Sequence, residues 1–338
     1  MFLIRGVWGR FSERAAMLGP KEEEIMMELI LNLLSLKEQQ REAFLRAAEG
    51  WEQVFAPGGV MEDGGAVPSG LYRRARVILG NPPVKELAAC ENLRLLQTRS
   101  AGTEQYQKPG VLPEGAVLLS ASGAYGHSVS EHMFAMLLSL MKRLPAYRDR
   151  QRSGIWSDLG PVKTLDGALV LCVGTGDLGS SFARLCKALR ARTAGVRRDA
   201  ARPAAGVDEM YPMDRLDALL PRADVVALML PHAADTVRLM DRRRLLLMKK
   251  DAILLNGGRG SAVDCAALAE VLEGGRLWGA CLDVTDPEPL PAGHPLWAQE
   301  RAVLTPHAAG GDHLADTADR IAAIALEHLT AFLNTHAR

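Results

Sequence analysis

Leu169-Val170-Leu171-Cys172-Val173 runs without a break into Gly174-Thr175-Gly176-Asp177-Leu178-Gly179, and a helix-like segment follows. A Gly-x-Gly-x-x-Gly spacing alone carries little weight. A strand before it and a helix after it are the context of a dinucleotide-binding turn. Gly174 permits the tight turn and Gly176 lets the backbone approach a pyrophosphate on the helix N-terminus. Gly179 allows close helix–strand packing. Asp177 and Leu178 belong to the same expected cofactor contact. The next strand ends at Val196, and Arg197 stands where an acidic residue would bind a ribose 2′-hydroxyl. A guanidinium pairs with a 2′-phosphate that a carboxylate would repel. Arg197 and Arg198 therefore point to NADP(H) over NAD(H).

Outward from this turn the pattern alternates. Glu28 to Leu34 is an apolar run of strand length, Lys37 to Gln53 has helical periodicity, and Gly58 to Gly70 reads as loop. Further strands are expected at Ala75–Leu79, Leu93–Thr98 and Val117–Ser120. Beyond the glycine turn they are expected at Thr193–Val196, Val225–Leu230, Ala252–Leu255, Trp278–Val284 and Ala302–Leu304, with a last helix over Ala315–Leu333. Alternating strands and helices imply parallel α/β sheets. Between the two series, Ser128-Val129-Ser130-Glu131 fits a capping box. The helix body it would open, Met133 to Met141, is apolar almost all round and is expected to lie between domains or subunits. Pro145 marks a weakening or kink.

At 338 residues, 48% of them hydrophobic, the chain has the size and composition of a two-domain globular protein. Forty basic and forty acidic residues give no net charge, so no nucleic-acid partner is expected. Arg242-Arg243-Arg244 reads as a solvated helix face. The five cysteines (90, 172, 186, 265 and 281) show neither CxxC nor metal-ligand spacing, which reads as reduced, buried thiols of a cytoplasmic protein with no metal. No apolar run approaches a membrane span. Residues 1–26 look foreign to the fold. Lys21-Glu22-Glu23-Glu24 ahead of Met26-Met27 reads as a translated purine-rich ribosome-binding site, which makes 1–26 a non-native or disordered extension; a transit peptide is the other reading.

Three polar residues close strand-like runs in the last third: Arg259 in Asn256-Gly257-Gly258-Arg259-Gly260, Glu288 in Asp286-Pro287-Glu288-Pro289-Leu290, and His307 in Thr305-Pro306-His307-Ala308-Ala309-Gly310. A cation, a carboxylate and an imidazole can form an anion clamp, a tuner and a proton donor. Beside a dinucleotide site they suggest hydride and proton transfer to a small anionic carbonyl compound. His127, His132, His232, His294 and His313 are expected to be structural or peripheral.

With Ser100-Ala101-Gly102, Leu230-Pro231 and Thr236, Leu282-Asp283-Val284 and His294-Pro295-Leu296-Trp297 added, the chain resembles the D-isomer-specific 2-hydroxyacid dehydrogenase family from about residue 75 onward. The resemblance implies two Rossmann/flavodoxin-like doubly wound parallel-sheet α/β domains with a cleft between them. Residues 27–127 plus 316–338 would bind substrate and 128–315 the dinucleotide. It implies that Arg259 and backbone N–H groups near Ala101 and Gly102 bind the substrate carboxylate, with Asn81 nearby. His307 would be the acid/base, and Glu288 would orient its ring and favour the imidazolium. Pro231, Thr236, Gly257, Gly258 and Asp283 would line the cofactor. The expected protein is a homodimeric, glyoxylate/hydroxypyruvate-type reductase of 2-keto acids. A phosphoglycerate-type dehydrogenase and a non-catalytic dinucleotide sensor on the same fold are the rivals. Arg190 departs from relatives that carry glycine before the second strand.

Overall fold

The computed structural model describes residues 27–311 and 314–336. The expectations for residues 1–26 and for His313 fall outside these. The first part runs β1 (Leu29–Asn32), α1 (Glu38–Ala47), β2 (Glu52–Phe55), α2 (Ser69–Arg74), β3 (Ala75–Leu79), α3 (Val84–Leu87), β4 (Leu95–Gln97) and β5 (Val117–Leu119). Helices α4 (Gly126–Met141) and α5 (Leu144–Arg152) follow. The second part runs β6 (Leu169–Val173), α6 (Asp177–Ala188), β7 (Arg192–Val196), β8 (Glu209–Tyr211), α7 (Leu216–Leu219) and β9 (Val225–Leu228). It continues through α8 (Arg242–Leu247), β10 (Ile253–Asn256), α9 (Cys265–Glu273), β11 (Gly279–Leu282) and β12 (Ala302–Leu304). The closing helix α10 (Ala315–His336) returns to pack on α1 and β4.

Two sheets result. Five strands stand in the order β2-β1-β3-β4-β5, and seven in the order β12-β11-β10-β9-β6-β7-β8. Every pairing is parallel. Each order reverses once, at β1/β3 and at β6/β9, and an open α/β sheet binds ligands beyond the carboxyl ends of its strands at such a point. Buried strands read as continuous apolar runs because helices cover both faces: β6, β9, β10 and β11 are buried over nearly their whole length.

One apolar cluster joins the two sheets. It runs from Ile30, Val77 and Leu95 through Met133 and Leu137 of α4 and Ala325 and Leu329 of α10 to Val170 and Ile253. Each such buried Val, Leu, Ile or Met side chain is worth about 1.5–3 kcal/mol of transfer free energy. Separate clusters cover the far faces, around Leu29, Ile78 and Leu96 on the first sheet and Leu171, Val226 and Leu254 on the second. The apolar body of α4 is thus largely consumed within the chain, against α6, β11 and β12.

The structure corrects several local expectations. The helix expected through Gln53 stops at Ala47. Gly50, at φ +88°, turns the chain into β2 instead. The capping box at Ser128 and Glu131 does not form, because α4 begins two residues earlier. Ser128 Oγ donates to the Ala309 carbonyl at 2.5 Å, and Glu131 lies 3.0 Å from His127 Nε2. Strands expected to reach Leu230 and Val284 end at Leu228 and Leu282, where their partners Val173 and Asn256 also end. Arg190 adopts φ +64°, the left-handed conformation that glycine takes most easily. Pro145 stands in the first turn of α5, just after Arg143 at φ +59°.

Candidate active site

β6 delivers Gly174 at φ +91°, where a side chain would also press within 2.6 Å of the Met229 carbonyl. A Cβ on Gly179 would fall 1.9 Å from the Gly174 carbonyl, so α6 can start this close to its strand only through glycine. At Gly176 a Cβ would meet nothing within 4 Å. That open side faces a cavity of about 610 Å³, which Gly176, Asp177 and Leu178 line. Room beside a helix N-terminus, where unpaired N–H groups and the helix dipole favour anions, fits a pyrophosphate. The Asp177 carboxylate rests against Gly126 at the head of α4. Burial raises its pKa by more than the Gly126 N–H, Arg320 and Arg184 lower it.

Pro231, Gly257 and Gly258 line the same cavity. Gly258 is pressed against Leu230, whose carbonyl a Cβ would approach to 2.5 Å. Thr236 is buried and does not reach the cavity. Its hydroxyl accepts the Ala233 N–H at 2.9 Å and lies 3.1 Å from the Pro231 carbonyl, so it staples the 231–236 turn. Arg197 directly follows β7, its backbone N–H donating to the Tyr211 carbonyl at 3.1 Å; Arg198 is exposed.

Arg259 and His307 line the cavity, and Glu288 stands behind His307. Nδ1 of His307 lies 2.7 Å from Glu288 Oε1, which leaves Nε2 as the ring nitrogen remote from that bond. His307 is held at φ +52°. A left-handed non-glycine residue costs about 1–3 kcal/mol and persists only where its surroundings over-determine it. Asp283 supplies those surroundings. Its carbonyl accepts the His307 N–H at 2.7 Å, and its buried carboxylate accepts the N–H of Ala308 at 2.9 Å and the Thr305 hydroxyl at 2.6 Å. His132, expected to be structural or peripheral, extends this chain through Thr305 Oγ1 at 3.0 Å.

On the opposite wall, Ala101 and Gly102 line the cavity, whereas Asn81 does not. Asn81 accepts the Arg99 N–H at 2.9 Å and donates to Ser100 Oγ at 3.1 Å, so it shapes the loop that carries Ala101. Gly102 lies flat against the Arg259 guanidinium; a Cβ would sit 1.9 Å from Nη2. Glu104, which no sequence motif singled out, accepts Arg259 Nε at 2.9 Å across the cleft. Burial raises its pKa, but the bond to Arg259 and the fields of Arg259 and His232 leave it below the ordinary glutamate value. Among the described residues no group of His, Cys, Asp and Glu has a metal-binding arrangement, and no helix is long and apolar enough to cross a membrane. All five cysteines are buried and free.

The family model for the D-isomer specific 2-hydroxyacid dehydrogenase NAD binding domain matches residues 134–309. Glyoxylate/hydroxypyruvate reductase B of Enterobacter sp. (strain 638) is 29% identical over 272 residues, 78% of this chain and 83% of that one. A crystal structure of a D-isomer specific 2-hydroxyacid dehydrogenase family protein from Aeromonas salmonicida superposes with a TM-score of 0.79 at 29% identity, covering 91% of this chain and 96% of that one. The enzyme from Xanthobacter autotrophicus Py2, solved with NADPH and MES, gives 0.72 at 25% identity with 91% and 96% covered. The parallel sheets and glycine turn that the sequence dictates are therefore those of a known lineage, and the chain belongs to the D-isomer specific 2-hydroxyacid dehydrogenase family.

Proposed function

We propose that this protein reversibly reduces a small 2-keto acid to its D-2-hydroxy acid, with NADP(H) preferred over NAD(H), as a glyoxylate/hydroxypyruvate-type reductase. The observation that carries the reading is one cavity bordered by the His307–Glu288 pair at 2.7 Å, by Arg259 and by the open side of Gly176. Gly174, Gly176, Asp177, Leu178 and Gly179 would hold the pyrophosphate. Pro231 and Asp283 would border the nicotinamide and Gly257 and Gly258 the cofactor backbone, with Thr236 shaping that wall. The dinucleotide, when bound, supplies a hydride for carbon 2.

Arg259 and the backbone N–H groups near Ala101 and Gly102 take the substrate carboxylate. His307 gives a proton from Nε2 to the carbonyl oxygen and recovers it in the reverse direction. Glu288 accepts Nδ1–H, which fixes the tautomer and the ring plane. Arg197 and Arg198 would pair with a 2′-phosphate, in keeping with the NADPH in the Xanthobacter relative. Residues 27–127 plus 316–338 act as the substrate domain and 128–315 as the dinucleotide domain, and their closure excludes water. We assign a homodimer and a cytoplasmic location to the same reading. Exposed Leu144, Ile155, Trp156 and Val162, next to the internally covered α4, supply apolar surface for pairing.

The test follows NADPH and NADH oxidation with glyoxylate, hydroxypyruvate, pyruvate and bulkier 2-keto acids. Turnover is expected, with kcat falling at least ~10²-fold in His307→Ala, the scale of losing a general acid. Tight dinucleotide binding without turnover across the panel would identify a sensor instead.

A further inference from the structure

Arg259 is the single Lys or Arg among the described residues that line the cavity, and Glu104, Asp177 and Asp283 line it as carboxylates. Two of the Arg259 donors are already engaged. Nε donates to Glu104 Oε1 at 2.9 Å, and Nη1 donates to the Gly258 carbonyl at 3.0 Å. The Nη2 side faces Gly102, the wall where a substrate carboxylate would seat. Glu104 Oε2 faces the same Gly102 wall, 2.8 Å from where a Cβ would stand, so it borders the seat itself and one guanidinium is shared between a fixed internal anion and any incoming one. A first carboxylate still finds the Nη2 donors and the backbone N–H groups of that wall. A second anionic group finds no further Lys or Arg on the lining, where His307 is committed to the carbonyl oxygen, and meets the field of Glu104 in a site partly withdrawn from water, where like charges repel more strongly than in bulk.

We propose that Glu104 sets the charge class of the substrate, admitting 2-keto acids with a single negative charge and rejecting those with a second carboxylate or a phosphate. This rests on the 2-keto acid reading of the same cavity. Glu104 also spans the cleft, since it follows β4 in the first sheet while Arg259 follows β10 in the second. Discrimination against dianions is thus strongest when the Glu104–Arg259 contact across the cleft is made.

The experiment uses 2-oxobutanoate and oxaloacetate, which have equal carbon counts and differ by one negative charge. Wild type, Glu104→Gln and Glu104→Asp are compared in two ways: by kcat/KM with NADPH, and by calorimetric Kd on protein loaded with NADP+, which cannot reduce them. In Glu104→Gln the preference for 2-oxobutanoate over oxaloacetate should fall by at least about tenfold in both measurements, as expected for removing one nearby charge. Glu104→Asp should keep the preference. A purely structural role would lower both substrates together and leave the ratio unmoved, and that result overturns the proposal. Charge selection in the calorimetry of a protein that reduces neither compound would sustain this inference while removing the proposed activity. Turnover with an unshifted ratio would do the reverse, and wild type that binds neither compound would overturn both.

Discussion

Arg197 is the residue on which the choice of dinucleotide is expected to turn. It leaves β7 with its backbone tied to Tyr211 and carries the first side chain beyond the strand. Hydrogen bonds to charged groups contribute about 1.5–3 kcal/mol each. Arg197→Glu should therefore lower the NADPH:NADH ratio of kcat/KM by about 10- to 100-fold, read from initial rates with each cofactor at one keto acid concentration. A ratio that stays put would assign the selectivity to other residues. Arg197 could be picked out in the sequence because its place is counted from a glycine turn only a short stretch upstream. Arg259, Glu288 and His307 were legible for a similar reason, each closing an apolar run beside glycine or proline. Glu104 was not. Its partner lies 155 positions away, and no local pattern reports a contact made only when two sheets face each other. Asn81 and Thr236 show the complementary limit. Both fall in informative segments, yet their side chains are spent on holding loops rather than on the cavity.

At the scale of elements, the buried strands and the apolar edge strands β5 and β12 were readable, and the two polar edges were not. β2 (Glu-Gln-Val-Phe) and β8 (Glu-Met-Tyr) lie at sheet edges, where half-exposed polar residues erase the apolar run. What holds the β7–β8 edge is partly electrostatic. Asp208 accepts the N–H of Thr193 at 3.0 Å and its hydroxyl at 2.9 Å, and pairs with Lys187 of α6. The Lys187 bond, followed by those from Thr193, holds the Asp208 pKa below the ordinary aspartate value. A depressed folded pKa contributes stability that is present above the unfolded value, about 3.9, and is lost as pH falls through the folded value. Asp208→Asn should lower Tm by a few degrees at neutral pH, at about 2–4 °C per kcal/mol for a chain of this class. The gap from wild type should close in acid below about pH 3. Melting curves between pH 2.5 and 7.5 measure this, and a gap constant across the range would mean that the carboxylate charge contributes nothing.

For the whole molecule, the sequence supplied alternation and therefore parallel sheets, but neither strand order nor the facing of one sheet by the other. Those follow from long-range packing, above all from α4 and α10, whose buried faces belong to one cluster with both sheets. The chain passes from the first sheet to the second through the head of α4 and returns through the head of α10, and an ionic cluster joins the two passages. His127 Nδ1 lies 3.1 Å from Asp316 Oδ2 and Nε2 lies 3.0 Å from Glu131 Oε1. Arg320 Nε donates to Asp316 at 2.8 Å. The Asp316 bond, then the charge and bond of Glu131, raise the His127 pKa, and His127 in turn lowers that of Asp316. A histidine with a raised folded pKa contributes stability that is complete below its unfolded value, about 6.5, and is lost as pH rises through the folded value. The Asp316 contribution sets the acid limit of the same window, since it is lost only as pH falls below the aspartate range. The Tm difference between wild type and His127→Gln should therefore be largest near pH 6 and shrink by about pH 9, as followed by differential scanning calorimetry. A difference independent of pH would show that the two passages are held together by packing alone.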